Sequence, residues 1–232
     1  MDLSRSPGQI LGYALIRPIK LLLFSPIVIL PCVAVAIMFG YFYLLITTFS
    51  TVFSKQYGFS TGMVGVSYLG IGVGNIIGLA LFANISDRYL ERKQKLCEMK
   101  PEHRLGIVVF GGPLVAVGLF CYGWSAQAQV HWIVPILGTV LFGMGFMTFM
   151  MPISTYLIDS FTVYAASAIS ANILLRSIVG AVLPLIADQL YRRLGLGWGN
   201  SLLAFVALST CPLPWLFLKY GERLRLNYPV KL

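Results

Sequence analysis

A chain of 232 residues allows one or two soluble domains on length alone, but 58% of its residues are hydrophobic and 11% charged, against about 25% charged in an average soluble protein. With a mean hydropathy of +0.82, a water-soluble globule is excluded. The formal charge of +9 sits in clusters between long charge-free runs, which is the pattern of membrane topology and not of a nucleic-acid-binding surface.

In chain order, residues 1–24 read as a cytosolic leader. Within it Ile10–Leu23, carrying Arg17 and Lys20, reads either as an amphipathic helix on the inner leaflet or as a plain juxtamembrane linker. Leu21–Ser54 holds no charge over 34 residues and Gln56–Ser86 none over 31, each more than the ~20 residues that one membrane helix needs. Leu105–Ile158 is interrupted only by the polar stretch Ser125–Gln129, which divides it into two helices. A further apolar run, broken by Arg176, ends near Ile186, and a last one covers Asn200–Phe217. The expectation is an all-α membrane protein with six transmembrane helices, at about 27–50, 63–84, 105–124, 132–154, 164–186 and 200–218. They form a bundle over residues 25–218, followed by a cytosolic tail at 219–232.

Counting Lys and Arg on alternate sides gives thirteen with the two termini against three on the other side, Lys55, Arg192 and Arg193. That bias places both ends in the cytosol. Tyr57, Phe59, Tyr122, Trp124, Trp132, Trp198 and Trp215 all fall near span ends, where amphipathic rings prefer the headgroup level. The first apolar run is far too long for a cleaved signal peptide. The cysteines Cys32, Cys97, Cys121 and Cys211 lack metal-ligand spacing, so neither zinc nor a disulfide framework is expected. The Asn84-Ile85-Ser86 sequon lies at a cytosolic helix end and is not an acceptor.

Arg176 stands near the middle of the fifth span, where it costs about 2.5–3.5 kcal/mol. Ten Leu, Ile and Val residues between Ile169 and Ile186 return about 3–6 kcal/mol, so this helix alone is marginal and the guanidinium must face protein or water. Ala168, Asn172, Arg176, Gly180 and Pro184 recur every fourth residue and mark that face. The nearest acids, Asp159 and Asp188, lie 17 and 12 residues away, roughly 18 Å or more along a helix. The expected partner is therefore a backbone carbonyl, a tyrosine, a ligand or an acid outside this chain. Arg176 either ties helices together or contacts a substrate or coupling path, with Asn172 beside it.

Tyr41, Phe42, Tyr43, Thr47 and Thr48 in the first span, and Phe142, Phe146, Met147, Met150 and Ser154 with Tyr156 in the fourth, suit a cavity for bulky, weakly polar ligands. Most of them suit plain contact with lipid and neighbouring helices. Gly70, Gly74 and Gly78 form two overlapping GxxxG steps that read as a helix-packing stripe. Asn75 between them either bonds a neighbouring helix or lines a cavity. Two histidines and no intramembrane carboxylate pair leave no acid–base set, so catalysis is not expected and no cofactor or metal is implied.

Several stretches then resemble one family: Ser86-Asp-Arg-Tyr-Leu-Glu-Arg-Lys93, Cys121-Tyr-Gly-Trp-Ser125 with His131-Trp-Ile-Val-Pro135, Tyr164-Ala-Ala-Ser-Ala168 running to Leu175-Arg-Ser177, Gly195 to Phe205, and Tyr220-Gly-Glu-Arg223. Together, over nearly all of residues 15–225, the chain resembles the C-terminal half of a major facilitator superfamily transporter of the fungal drug:proton antiporter type. The resemblance implies helices seven to twelve of a twelve-helix fold, export of small organic compounds by proton antiport, and a plasma-membrane location. It also implies a cytosolic gate at Asp87, Arg88, Arg92 and Lys93, although Ala83 and Leu90 stand where that motif usually has glycine. Arg176 matches a basic residue that recurs in the family's eleventh helix.

Such transporters build their pathway between two six-helix halves, so one wall of the cleft is absent from this sequence. The expected partners are the bilayer, a small organic substrate with protons, and either an N-terminal half or a second copy of the chain. The contrasting expectation is a non-transporting interaction protein or a gene fragment.

Overall fold

The computed structural model describes residues 7–94, 101–217 and 221, with side chains given for 16–86, 88, 104–217 and 221. Every regular element among them is helical: α1 (Pro7–Phe24), α2 (Pro26–Lys55), α3 (Thr61–Ser67), α4 (Leu69–Gln94), α5 (Val108–Gln127), α6 (Ile133–Ser160) and α7 (Ala165–Thr210), with 3₁₀ turns at Pro101–Ile107 and Thr162–Tyr164. The leader segment is thus a helix. It ends where Pro26 drives Ser25 into extended backbone, φ −111° and ψ 105°, because the proline ring clashes with a helical residue before it.

Five helices are long and apolar enough to cross a membrane, where the sequence suggests six. The difference lies in the last one. Thr162–Phe217 forms a single stretch of 56 residues that would measure about 84 Å if straight, nearly three times the ~30 Å hydrocarbon core. It is not straight. At Gly195 the backbone takes φ 73° and ψ 173°, a conformation open to glycine and closed to side-chain-bearing residues.

The arm before the break packs on α2, where Gly40 meets Val179 and Leu183; the arm after it packs on α5, where Gly112 meets Cys211 and Gly123 meets Asn200. The Tyr191 hydroxyl donates to Asn200 Oδ1 at 3.2 Å across the bend, and Gly199 lies against the Tyr191 ring. The expected spans 164–186 and 200–218 are therefore two separate arms, divided at Gly195 between them. The expected span 63–84 is interrupted at Tyr68, between α3 and α4, whose hydroxyl donates to the Ile46 carbonyl of α2 at 2.8 Å.

Glycines let the helices approach closely. Gly70, Gly74 and Gly78 of α4 face Ile136, Val140 and Met144 of α6, with Gly143 of α6 against Ile71 and Asn75 in return. On the other side of α6, Gly138 and Gly145 meet Gly111, Val115 and Tyr122 of α5. Contacts this close leave room for no β-carbon, so dispersion between backbones holds the bundle where lipid offers no hydrophobic drive. The core is aromatic at its centre: Phe49, Phe53, Tyr122, Phe142 and Phe149 are fully buried, with Phe49 stacked on Tyr122 at 5.7 Å.

The outside is apolar too. Leu69, Val73, Ile76 and Leu79 of α4 and Ile178, Val182, Leu185 and Phe205 of α7 are exposed, a surface that suits acyl chains and not water. The chain is an integral membrane protein.

Its two ends differ. At one, Arg104 pairs through Nε with Asp159, closing the start of α5 onto the end of α6, and the Arg17 guanidinium lies over the Tyr164 ring at 5.4 Å. At the other, Phe59 meets Trp132 at 5.9 Å, and the Gln127 side chain accepts from the Gly197 amide. The Trp124 indole also donates there, to Ser201 Oγ at 3.1 Å. The first is the Arg104 end and the second the Lys55 end.

Candidate functional site

The four-residue stripe on α7 meets a matching stripe on α2. Phe39 and Tyr43 are one turn apart and both lie against Gly180, so the missing side chain there lets the two helices close. The Arg176 guanidinium, one turn before Gly180, sits 4.6 Å from the centroid of the Phe39 ring. Its Nε is buried and makes no hydrogen bond.

The sequence leaves a carbonyl, a tyrosine, a ligand or an external acid open as the partner of Arg176; the structure gives it a phenylalanine face. A cation over a ring is worth about 2 kcal/mol or more when desolvated, which offsets much of the membrane penalty without neutralising the charge. Asn172, one turn before Arg176 on the same stripe, is 2% exposed and its Oδ1 has no hydrogen-bond partner.

Around this cation the rings form a continuous wall. Phe39 contacts Tyr43 at 5.1 Å and Phe146 at 6.2 Å. Phe42 stacks on Phe146 at 4.7 Å, and Phe146 continues to Phe142 at 6.0 Å. Tyr43 is 42% exposed and forms the open edge. The wall thus has a fixed positive charge, one exposed phenol and an otherwise apolar surface, which suits an organic molecule with a large apolar body.

Arg176, Asn172, Tyr43 and Phe146 belong to this face of α2, α6 and α7. The other sequence-suggested lining residues lie elsewhere. Phe146 is itself only 2% exposed and backs the ring cluster from within, and Tyr41, Met150 and Tyr156 are likewise buried in the packed core, the Tyr156 ring meeting Phe217 at 6.2 Å near the Arg104 end. Asn75 is half-buried between α4 and α6 beside Gly143, with its Oδ1 unpaired. In the gate motif Arg88 is exposed, while the side chains of Asp87, Arg92 and Lys93 lie outside the described residues. Among the described residues no cluster of His, Cys, Asp or Glu is placed to hold a metal ion.

Two features escaped sequence reasoning. Phe39 is one turn from Tyr43 and continues its stripe, so the same four-residue spacing would have found it. The Arg104–Asp159 pair joins residues 55 positions apart, which no local pattern reports.

Comparison with known proteins agrees with this architecture. A family model described as Major Facilitator Superfamily matches residues 3–184. The MFS-type transporter atr4 of Stereocaulon alpinum is 54% identical over 91% of this chain and 38% of its own length. The MFS-type transporter hepF of Aspergillus oryzae is 51% identical over 95% of the chain and 46% of its own. The MFS transporter eqxG of Fusarium heterosporum is 50% identical over 99% and 47%. The chain spans about half the length of such relatives or less, and no solved structure matches it significantly. An integral membrane bundle of glycine-packed apolar helices, matched over most of its length by fungal transporters, belongs to the Major Facilitator Superfamily.

Proposed function

We propose that the chain is the C-terminal half of a secondary transporter that exports small, largely apolar organic compounds by proton antiport. It crosses the plasma membrane six times, with the two arms of α7 as separate spans and the Arg104 end in the cytosol. The single observation that carries this reading is the guanidinium of Arg176 held over Phe39 in an aromatic wall whose Tyr43 edge is open. Such a charge is retained in a membrane helix at a cost, and functional use is the usual reason.

In this reading Arg176 and Asn172 contact the substrate or its coupling partner, Tyr43 lines the route, and Phe146, buried behind Phe39 and Phe42, lines it once the rings part. Asn75, Tyr41, Met150 and Tyr156 act behind that surface. Asp87, Arg88, Arg92 and Lys93 close the cytosolic side, where the Arg104–Asp159 pair also lies. The opposite wall comes from an N-terminal six-helix half or from a second copy, two copies in the same orientation being able to pack about a two-fold axis.

Cells lacking the protein should accumulate a lipophilic fluorescent tracer that expressing cells expel, and a protonophore should abolish the difference. Equal accumulation with and without the chain, both alone and co-expressed with an N-terminal half, refutes export. A second reading, a non-transporting membrane interaction protein or a gene fragment, draws its support from the half-length match to the relatives. It predicts copurification with other membrane subunits and no tracer efflux under any pairing.

A further inference from the structure

We propose that a cavity at the Lys55 end, between α2 and the first arm of α7, binds the hydroxyl-bearing end of an amphipathic organic compound. The cavity measures about 270 Å³, and its polar lining comes from Thr47, Thr48, Thr51, Lys55, Gln56, Asp188 and Tyr191. Sites for whole drug-sized ligands measure roughly 300–1,000 Å³, so this one holds one end of such a molecule and not all of it. Val52, Pro184 and Ala187 supply the apolar part of the lining.

The selectivity follows from where the hydroxyl protons go. Thr47 donates to the Leu44 carbonyl at 3.0 Å, Thr48 donates to the same carbonyl at 2.8 Å, and Tyr191 donates to Asn200 Oδ1 at 3.2 Å. A hydroxyl has one proton and two lone pairs, so with their protons committed inside the protein these three oxygens can offer a ligand only acceptance. The Asp188 carboxylate, also an acceptor, is held by Arg192 at 3.2 Å. Lys55 adds an ammonium, and the Thr51 hydroxyl and Gln56 amide beside it can each donate or accept.

A guest that donates through alcohol, phenol or amide N–H groups is matched by this set. One that only accepts leaves those lone pairs facing it unpaired. Phe39, Tyr43, Thr47, Thr51 and Lys55 recur every fourth residue on α2, so the cavity continues the aromatic wall along one helix face and turns it from apolar to hydroxylated. The body of a long guest can lie on the rings while its polar end occupies the cavity.

Binding here requires no transport, so this proposal and export can fail separately. The test uses the full chain in lipid nanodiscs, with empty discs as the blank and calorimetric titration as the readout. The probes are a naphthalenediol and its dimethyl ether, which share a ring system and differ in their donors. The diol should bind on the order of tenfold more tightly, as expected when two hydrogen bonds of ordinary net strength are made or forfeited.

Thr47→Val with Thr48→Val, which removes two acceptor oxygens and leaves Tyr191 and Asp188, should cut the diol's advantage severalfold. Tyr191→Phe, which removes one acceptor oxygen and keeps the ring, should weaken the diol severalfold and leave the ether unchanged. Equal binding of both probes to the unaltered chain overturns the proposal without reference to any variant. So does a diol signal no greater than that of empty discs, or a diol preference that stays undiminished in both correctly folded variants.

Discussion

Arg176 is where cost and use conflict most openly. Replacing it with leucine should make the isolated fifth span insert more readily, by about 3 kcal/mol on the translocon scale, as read in a glycosylation-reported insertion assay. The same change should abolish tracer export, because the charge over Phe39 is lost from the wall. Improved insertion with undiminished export would reduce the arginine to a packing residue. A second test concerns Arg104 and Asp159, whose side chains are 27% and 34% exposed. A pair open to solvent to that extent contributes about 1 kcal/mol or less, so Asp159→Asn should lower the melting temperature in detergent by only a few degrees. Exchanging the two residues together should recover most of that loss; no recovery would mean that the pair adds nothing beyond its separate parts.

At the scale of helices, glycine spacing makes contrasting predictions along α4. A β-carbon at Gly74 would meet the Val140 backbone, whereas one at Gly72 meets nothing within 4 Å. Gly72→Ala should therefore stabilise the protein by up to about 1 kcal/mol through helix propensity. Gly74→Ala, which forces α4 away from α6, should shift the protein toward aggregates on size-exclusion chromatography. Equal behaviour of the two variants would refute the packing assigned to this stripe. Gly195→Ala should also destabilise, by about 1–3 kcal/mol, since only glycine is at ease in its backbone conformation; thermal melts of the detergent-solubilised protein measure this.

The α4 stripe was legible in the sequence because its period is that of the helix itself, and so was the Ala168–Asn172–Arg176–Gly180–Pro184 face of α7. The partners of those faces were not, because pairing Arg176 with Phe39 depends on how helices 137 positions apart dock. A break between 186 and 200 was legible from the polar residues there, Arg192 and Arg193 among them, and Gly195 falls inside that interval; its exact place was not, because the backbone stays helical almost to the turn itself.

For the whole molecule, hydropathy and charge made membrane residence readable at once, because removing some twenty apolar residues per helix from water leaves few alternatives. Aromatic rings gathered from α2 and α6 became visible only in three dimensions: Phe39 joins Tyr43 to Phe146, and Tyr43 is exposed while Phe146, Tyr41 and Tyr156, equally eligible by composition, are buried. The membrane path of the entire chain rests on the hairpin formed by α7. If its arms are two crossings, the count is even and the ends share a compartment. Labelling single cysteines near Arg5 and near Lys231 with an impermeant maleimide, in intact and then permeabilised cells, tests this most directly. Both sites should react only after permeabilisation. Reaction of one of them in intact cells would put the termini on opposite faces and contradict the half-transporter architecture.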